Sequence, residues 1–230
     1  MNYFTDTNYL IASIFSLDNL NEAVLNFNQP EYHYFYSENV EREVEDIFKN
    51  KSRQYQSYLM KLDNKINSFS DIDLINVDDM HHLIDGFRPV GNFKINEMHA
   101  AFNKIWLNQG FDETHDAFEV KSFFNIFKKD FQSKHMSKKN ELFSEMTFVS
   151  SHTKKDKRII DKIKKENLKE YLHDNDEDIL FDANEYCQNN PWLNLKFVSA
   201  DRDFIKAIKV LGDELCINEC INLLEFSPNN

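Results

Sequence analysis

Four stretches of the chain place carboxylates where a cation-dependent reaction would use them. In Asn2-Tyr3-Phe4-Thr5-Asp6-Thr7-Asn8-Tyr9-Leu10-Ile11 a short apolar strand runs into an acid, two small polar residues and an apolar helix. Asp6 therefore falls at the carboxyl end of a strand, the edge at which open α/β sheets bind ligands. In Ser199-Ala200-Asp201-Arg202-Asp203-Phe204 the pattern repeats: Asp201 follows a strongly apolar strand, and Asp203 is placed to cap the helix starting at Phe204. Asp176 has Ile179, Leu180 and Ala183 at i+3, i+4 and i+7, which sets it on the inward face of a helix at its first turn, whereas Asp178 and Asp182 turn toward solvent. The helix after Ser37 offers Glu38, Glu41, Glu43 and Glu45. Glu43 lies three after Val40 and Glu41 three before Val44, so periodicity does not choose between them. Asp6 and Asp176 also fit as plain N-caps, the commoner role for a lone Asp before a helix. Two strand-end acids on one parallel sheet, however, face the same edge.

The elements that must position these acids are legible from pattern and punctuation. Helices are expected over Thr7 to Ser16, Asn19 to Phe27 behind an Asp18 cap, Ser37 to about Lys49, and Gln54 to Phe69; strands over Tyr32 to Tyr36 and Asp73 to Val77. From 78 to about 170 the chain turns helical and partly basic, with helices at Glu97 to Gln109, Asp116 to Gln132 and Arg158 to Tyr171, and a flexible turn at Ser133 to Lys139. Phe118, Phe123, Phe124 and Phe127 read as core, while Trp106 and Phe111 leave room for an exposed dimer surface. The α/β pattern resumes with a helix over Asp176 to Gln188, a strand over Leu195 to Ser199, a helix over Asp203 to Leu211, and closing strands over Glu214 to Asn218 and Ile221 to Phe226. This alternation predicts a three-layer α/β/α domain with a mainly parallel central sheet, residues 1–230 forming a single domain with a helical insertion at 78–170.

Composition narrows the classes. The 230 residues are 41% hydrophobic and include 21 Phe, enough for a core, and no apolar run reaches the length of a membrane span. With no basic leader or cleavage site, a soluble, cytoplasmic protein is expected. Cys187, Cys216 and Cys220 form neither a disulfide framework nor a zinc ribbon and read as buried small hydrophobes in a reducing compartment. The adjacent His81-His82 pair reads as a solvated loop or helix start, and four Gly are too few for a phosphate-cradling loop. The net charge is −12, yet from Lys121 to Lys169 fourteen Lys and Arg face only six acids. Such a basic stretch is either the solvated face of exposed helices or a grip for phosphodiester phosphates.

Taken together, Asp6-Thr7-Asn8-Tyr9-Leu10-Ile11 after a strand, an acid on the helix after Ser37, Asn175-Asp176 followed by Ile179-Leu180 and Ala183, and Ser199-Ala200-Asp201-Arg202-Asp203-Phe204 resemble a PIN domain, the metal-dependent ribonuclease fold of VapC-type toxins and RNA-processing nucleases. The resemblance covers roughly residues 1–77 and 173–226. It implies a site lined by Asp6, a helix Glu, Asp176 and Asp201, selects Glu43-Val44 over Glu41, and makes Asn8 and Ser199 supporting polar positions. It further implies Mg²⁺ or Mn²⁺, hard cations that prefer oxygen ligands and keep clustered carboxylates charged, and hydrolysis of RNA whose backbone the Lys121 to Lys169 region would hold. The function expected is that of a metal-dependent, endonucleolytic ribonuclease. A non-catalytic PIN-like module binding RNA or protein, and a toxin paired with an antitoxin, are the other readings the resemblance admits, with a homodimer as a further possible partner.

Overall fold

The computed structural model describes residues 1–111, 113–217 and 219–227. The chain divides into two compact units, one made of Met1–Ser16, Leu20–Ile47 and Asn140–Asn230, the other of Leu17–Asn19 and Phe48–Lys139. The main segment of the second unit, Phe48–Lys139, overlaps part of the expected insertion at 78–170.

The first unit is α/β. Its five-stranded sheet contains β1 (Asn2–Thr5), β2 (His33–Ser37), β5 (Thr147–Val149), β6 (Lys196–Ser199) and β7 (Cys220–Asn222), in the order β5-β2-β1-β6-β7, and all four pairings are parallel. Side chains alternate across such a sheet. On one face Phe35 meets Tyr186 of α8 (Asp174–Asn189), and Phe4 stacks on Phe197, which meets Phe204 of α9 (Arg202–Leu211). Tyr3 and Tyr36, of opposite parity, meet Phe27 of α2 (Asn21–Phe27) and Phe143 in the last turn of α6 (Ala117–Glu145). Helices thus cover both faces, as a parallel sheet requires.

The strand chain runs outward from β1 through β2 to β5, then restarts on the other side with β6 and β7. The third strand is therefore Thr147–Val149, not the expected Asp73 to Val77. That stretch instead supplies β3 (Leu74–Asn76), which pairs antiparallel with β4 (Thr114–Asp116) in a separate two-stranded sheet of the second unit. The three residues of β5 give no alternation long enough to read, and Phe148 is half-exposed at the sheet edge.

Two long helices replace expected breaks. α3 runs unbroken from Glu38 to Ile66. Its sequence holds no Gly or Pro, and Val40, Val44, Phe48, Tyr55, Leu59, Leu62 and Ile66 keep one buried stripe through the polar stretch at 50–54. α6 continues through Ser133 to Lys139, expected as a turn. The buried stripe there passes from Phe131 to His135 and Lys139, polar residues that a hydropathy pattern misses. His135 bonds the Phe131 carbonyl one turn back, and the Lys139 ammonium lies 5.0 Å from the Phe48 ring.

In the second unit α5 (Ile95–Gln109) contributes Met98, Phe102, Ile105 and Trp106 to the core, so Trp106 is not part of an exposed surface. Asp18 does not cap α2; it pairs with Lys51, and its backbone carbonyl accepts from Lys104. In the first unit α7 (Lys157–Lys165) ends before Asn167, whose left-handed φ of 53° leads into a 3-10 turn at Leu168–Glu170. Glu214 closes a 3-10 turn instead of opening a strand, and Asn218 lies outside the described residues. The expected strand from Ile221 to Phe226 is confined to β7 and followed by a 3-10 turn at Leu223–Phe226. Cys187 and Cys216, expected as reduced thiols, are joined in a disulfide between α8 and the segment before β7; Cys220 is free. No helix among the described residues is long and apolar enough to cross a membrane.

Candidate acidic site at the carboxyl edge of the sheet

Strand register brings the predicted residues to one edge. Thr5 pairs with Val198, and Ser199 with Asn222, so Asp6, Ser199 and Asn222 end adjacent strands side by side. The β1/β6 boundary is also where the order of connections reverses, the switch point at which parallel sheets open a crevice beyond their carboxyl ends.

Asp6 is 1% exposed and caps α1 (Thr7–Ile14). One carboxylate oxygen accepts from the Tyr9 backbone N–H at 2.8 Å; the other accepts from the Ser199 hydroxyl. Ser199 Oγ in turn accepts from the Asp201 backbone N–H at 2.8 Å, so one buried hydroxyl ties the two strand-end acids together. Asp201, not Asp203, caps α9: its carboxylate accepts from the Asp203 N–H at 2.8 Å. The helix begins at Arg202, two residues before the expected start at Phe204, and the cap moves back with it from Asp203 to Asp201.

Glu43 and Glu41, left open by periodicity, separate in space. Glu43 accepts from the hydroxyl of Thr7, itself buried, at 2.8 Å, whereas the charge of Glu41 acts on Tyr36. Asp176 and Asp178 separate likewise. Asp176 is half-buried in the first turn of α8 and accepts from the His173 N–H at 3.0 Å, while Asp178 pairs with Lys155 at 2.6 Å.

Electrostatics join the four. Burial pushes the Asp6 carboxyl up to about 7; the bonds from Ser199 and Tyr9 oppose this, and the charges of Asp201 and Glu43 reinforce it. Asp176 is also raised, first by burial and then by Glu43 and Asp201, with the His173 N–H opposing. Asp6 and Asp176 thus each feel the charges of Glu43 and Asp201, which oppose their ionisation. The Cys220 thiol, two residues before Asn222 on β7, is held up at about 12 by burial and by Asp6 and Asp201.

Among the described residues, no three His, Cys, Asp or Glu side chains are set to hold one ion. The donor set nevertheless fits a hard cation: it is all oxygen. The local hydrogen bonds of Glu43, Asp176 and Asp201 occupy Oε2, Oδ2 and Oδ1, so Oε1, Oδ1 and Oδ2 keep lone pairs to offer. Asn8, expected as a supporting polar residue, is exposed.

Sequence reading missed one residue that touches the site and misplaced one acid of α8. Thr7 carries a signal only in hindsight, as the hydroxyl next to Asp6. Asp182, expected on the solvent side of α8, is 1% exposed and accepts from the backbone and ring of His152 and from Asn39. Helical periodicity assigns Asp182 outward because the loop after β5, which covers it, is remote in sequence.

No family model matches the chain, and neither the curated proteins nor the solved structures contain a match.

Proposed function

We propose that the chain is a divalent-metal-dependent ribonuclease of PIN-domain type, acting at the carboxyl edge of its parallel sheet. The observation that carries this reading is Asp6: a carboxylate at the topological switch point, raised by burial and further by the charges of Asp201 and Glu43. A protein that needed Asp6 only as a cap would not gain by setting the charges of Asp201 and Glu43 against it. A bound cation relieves such repulsion and makes the arrangement useful.

Asp6, Asp201, Asp176 and Glu43 would hold Mg²⁺ or Mn²⁺, the last three through the oxygens that their local hydrogen bonds leave available. The ion would supply an activated water and charge stabilisation for phosphodiester hydrolysis. Ser199 keeps Asp6 and Asp201 in fixed relation, Thr7 orients Glu43, and the His173 N–H orients Asp176. RNA phosphates would be gripped by lysines of the Lys121 to Lys169 stretch, giving binding that weakens with salt by a log–log slope of about 0.7 per phosphate contact on a single strand.

A non-catalytic PIN-like binding module is the second reading, favoured by the engagement of every one of the four carboxylates in a local hydrogen bond. The separating measurement is cleavage of RNA by purified protein with Mn²⁺. Chelator-sensitive cleavage that disappears in Asp6→Asn is expected; equal cleavage by that variant would sink the assignment.

A further inference from the structure

The second unit contains a histidine pair formed by residues far apart in sequence. His81, on α4 (Val77–Asp85), and His99, on α5, point their Nδ1 atoms at each other across 2.5 Å. Their ring centroids are 4.7 Å apart and the planes differ by 18°. Because the facing nitrogens are so much nearer than the centroids, the rings meet edge to edge in nearly one plane, and their lone-pair directions converge. Asp85 accepts from His99 Nε2 at 2.8 Å. An ionised carboxylate can only accept, so Nε2 carries the proton and Nδ1 of the neutral ring is a bare lone pair. The edge-on ring of Phe102, fully buried, supports His81 at 5.6 Å. A carboxylate behind an imidazole whose other nitrogen faces a second donor is the usual outer shell of a histidine metal ligand.

We propose that His81 and His99 bind a divalent ion of the Zn²⁺, Cu²⁺ or Ni²⁺ class through their Nδ1 atoms, with Asp85 orienting His99 from outside. Imidazole nitrogens favour these ions, whereas the oxygen donors at the sheet edge favour Mg²⁺ and Mn²⁺. The two sites differ in chemistry, and neither proposal depends on the other. Metal–nitrogen distances near 2.0 Å require the rings to part by roughly 1 Å, which small rotations of two half-buried side chains supply. His81 then carries its proton on Nε2. With no group of three metal-binding side chains among the described residues, water fills the remaining positions and the site is open.

Calorimetric titration of the full chain, free of any polyhistidine tag, with Zn²⁺, Ni²⁺ and Cu²⁺ near neutral pH tests this. A saturable binding step belonging to the pair is expected, beside any binding at the carboxylates of the sheet edge. It should be lost in both His81→Ala and His99→Ala, weakened about ten-fold or more in Asp85→Asn, and kept in Asp6→Asn and in His82→Ala, whose exposed ring is adjacent in sequence. The Cu²⁺ paramagnetic resonance spectrum of the unsubstituted protein should show coupling to two imidazole nitrogens, a readout that needs no variant to fold. Absence of saturable binding, binding untouched by both alanine variants, or a Cu²⁺ spectrum without two nitrogens overturns the proposal and leaves a proton shared between the rings as the whole role of the pair.

Discussion

Asp6 and Asp201 each close a helix and each face the acidic edge, and single substitutions separate the two roles. Asn caps a helix about as well as Asp, while Ala does not. Asp201→Asn should therefore keep its melting temperature and lose metal-dependent cleavage, whereas Asp201→Ala should lose cleavage and about 1 kcal/mol of stability as well. For Asp6 the linkage has a definite sign. Its folded value of about 7 stands above the 3.8 of the unfolded chain. The folded state thus holds a proton that the unfolded state has released, and stability is lost as pH rises from about 4 through about 7. Asp6→Asn should raise the metal-free melting temperature at about pH 8, by an amount equivalent to at most about 4 kcal/mol, while abolishing cleavage. A drop in melting temperature at that pH would show that the carboxylate's hydrogen bonds outweigh its repulsion.

At the scale of elements, continuity of α6 decides how the chain returns to the sheet. Ser137 is exposed in the middle of that helix, so replacing it removes no buried contact. Ser137→Pro should cost about 3 kcal/mol, because proline removes a backbone donor and collides with the preceding turn. Urea unfolding reads this directly, and a cost near zero would mean that 133–139 is the turn its Lys/Ser composition indicates. α6 has a property that local pattern reading handles poorly: the stripe that buries it changes polarity along its length. His135 and Lys139 occupy core positions through a backbone bond and a ring contact, which no hydropathy window registers.

For the whole molecule, the Cys187–Cys216 disulfide closes a 29-residue separation between α8, whose first turn holds Asp176, and the segment leading to β7. Loop-closure entropy for such a span is about 3–4 kcal/mol. Reduction, or Cys187→Ser with Cys216→Ser, should lower the urea midpoint accordingly; an unchanged midpoint would mean that the Asn184 side chain, which accepts from the Cys216 N–H at 2.7 Å, already restrains this crossover by itself.

The sequence by itself determined the α/β class, the strands that end at Asp6 and Asp201, and the inward face of α8 at Asp176. Each of these is written in contiguous residues as apolar period, turn chemistry and the acid that follows a strand. Tertiary structure alone decided which strand is third, that Asp182 is covered, and that His81 finds His99 instead of its neighbour His82, and it set Glu43, which the family resemblance selects and periodicity does not, against Thr7. Those outcomes depend on strand register and on contacts between segments distant in the chain. A helical period of 3.6 leaves flanking positions such as 41 and 43 equivalent until a second element, here Thr7, arrives on one side.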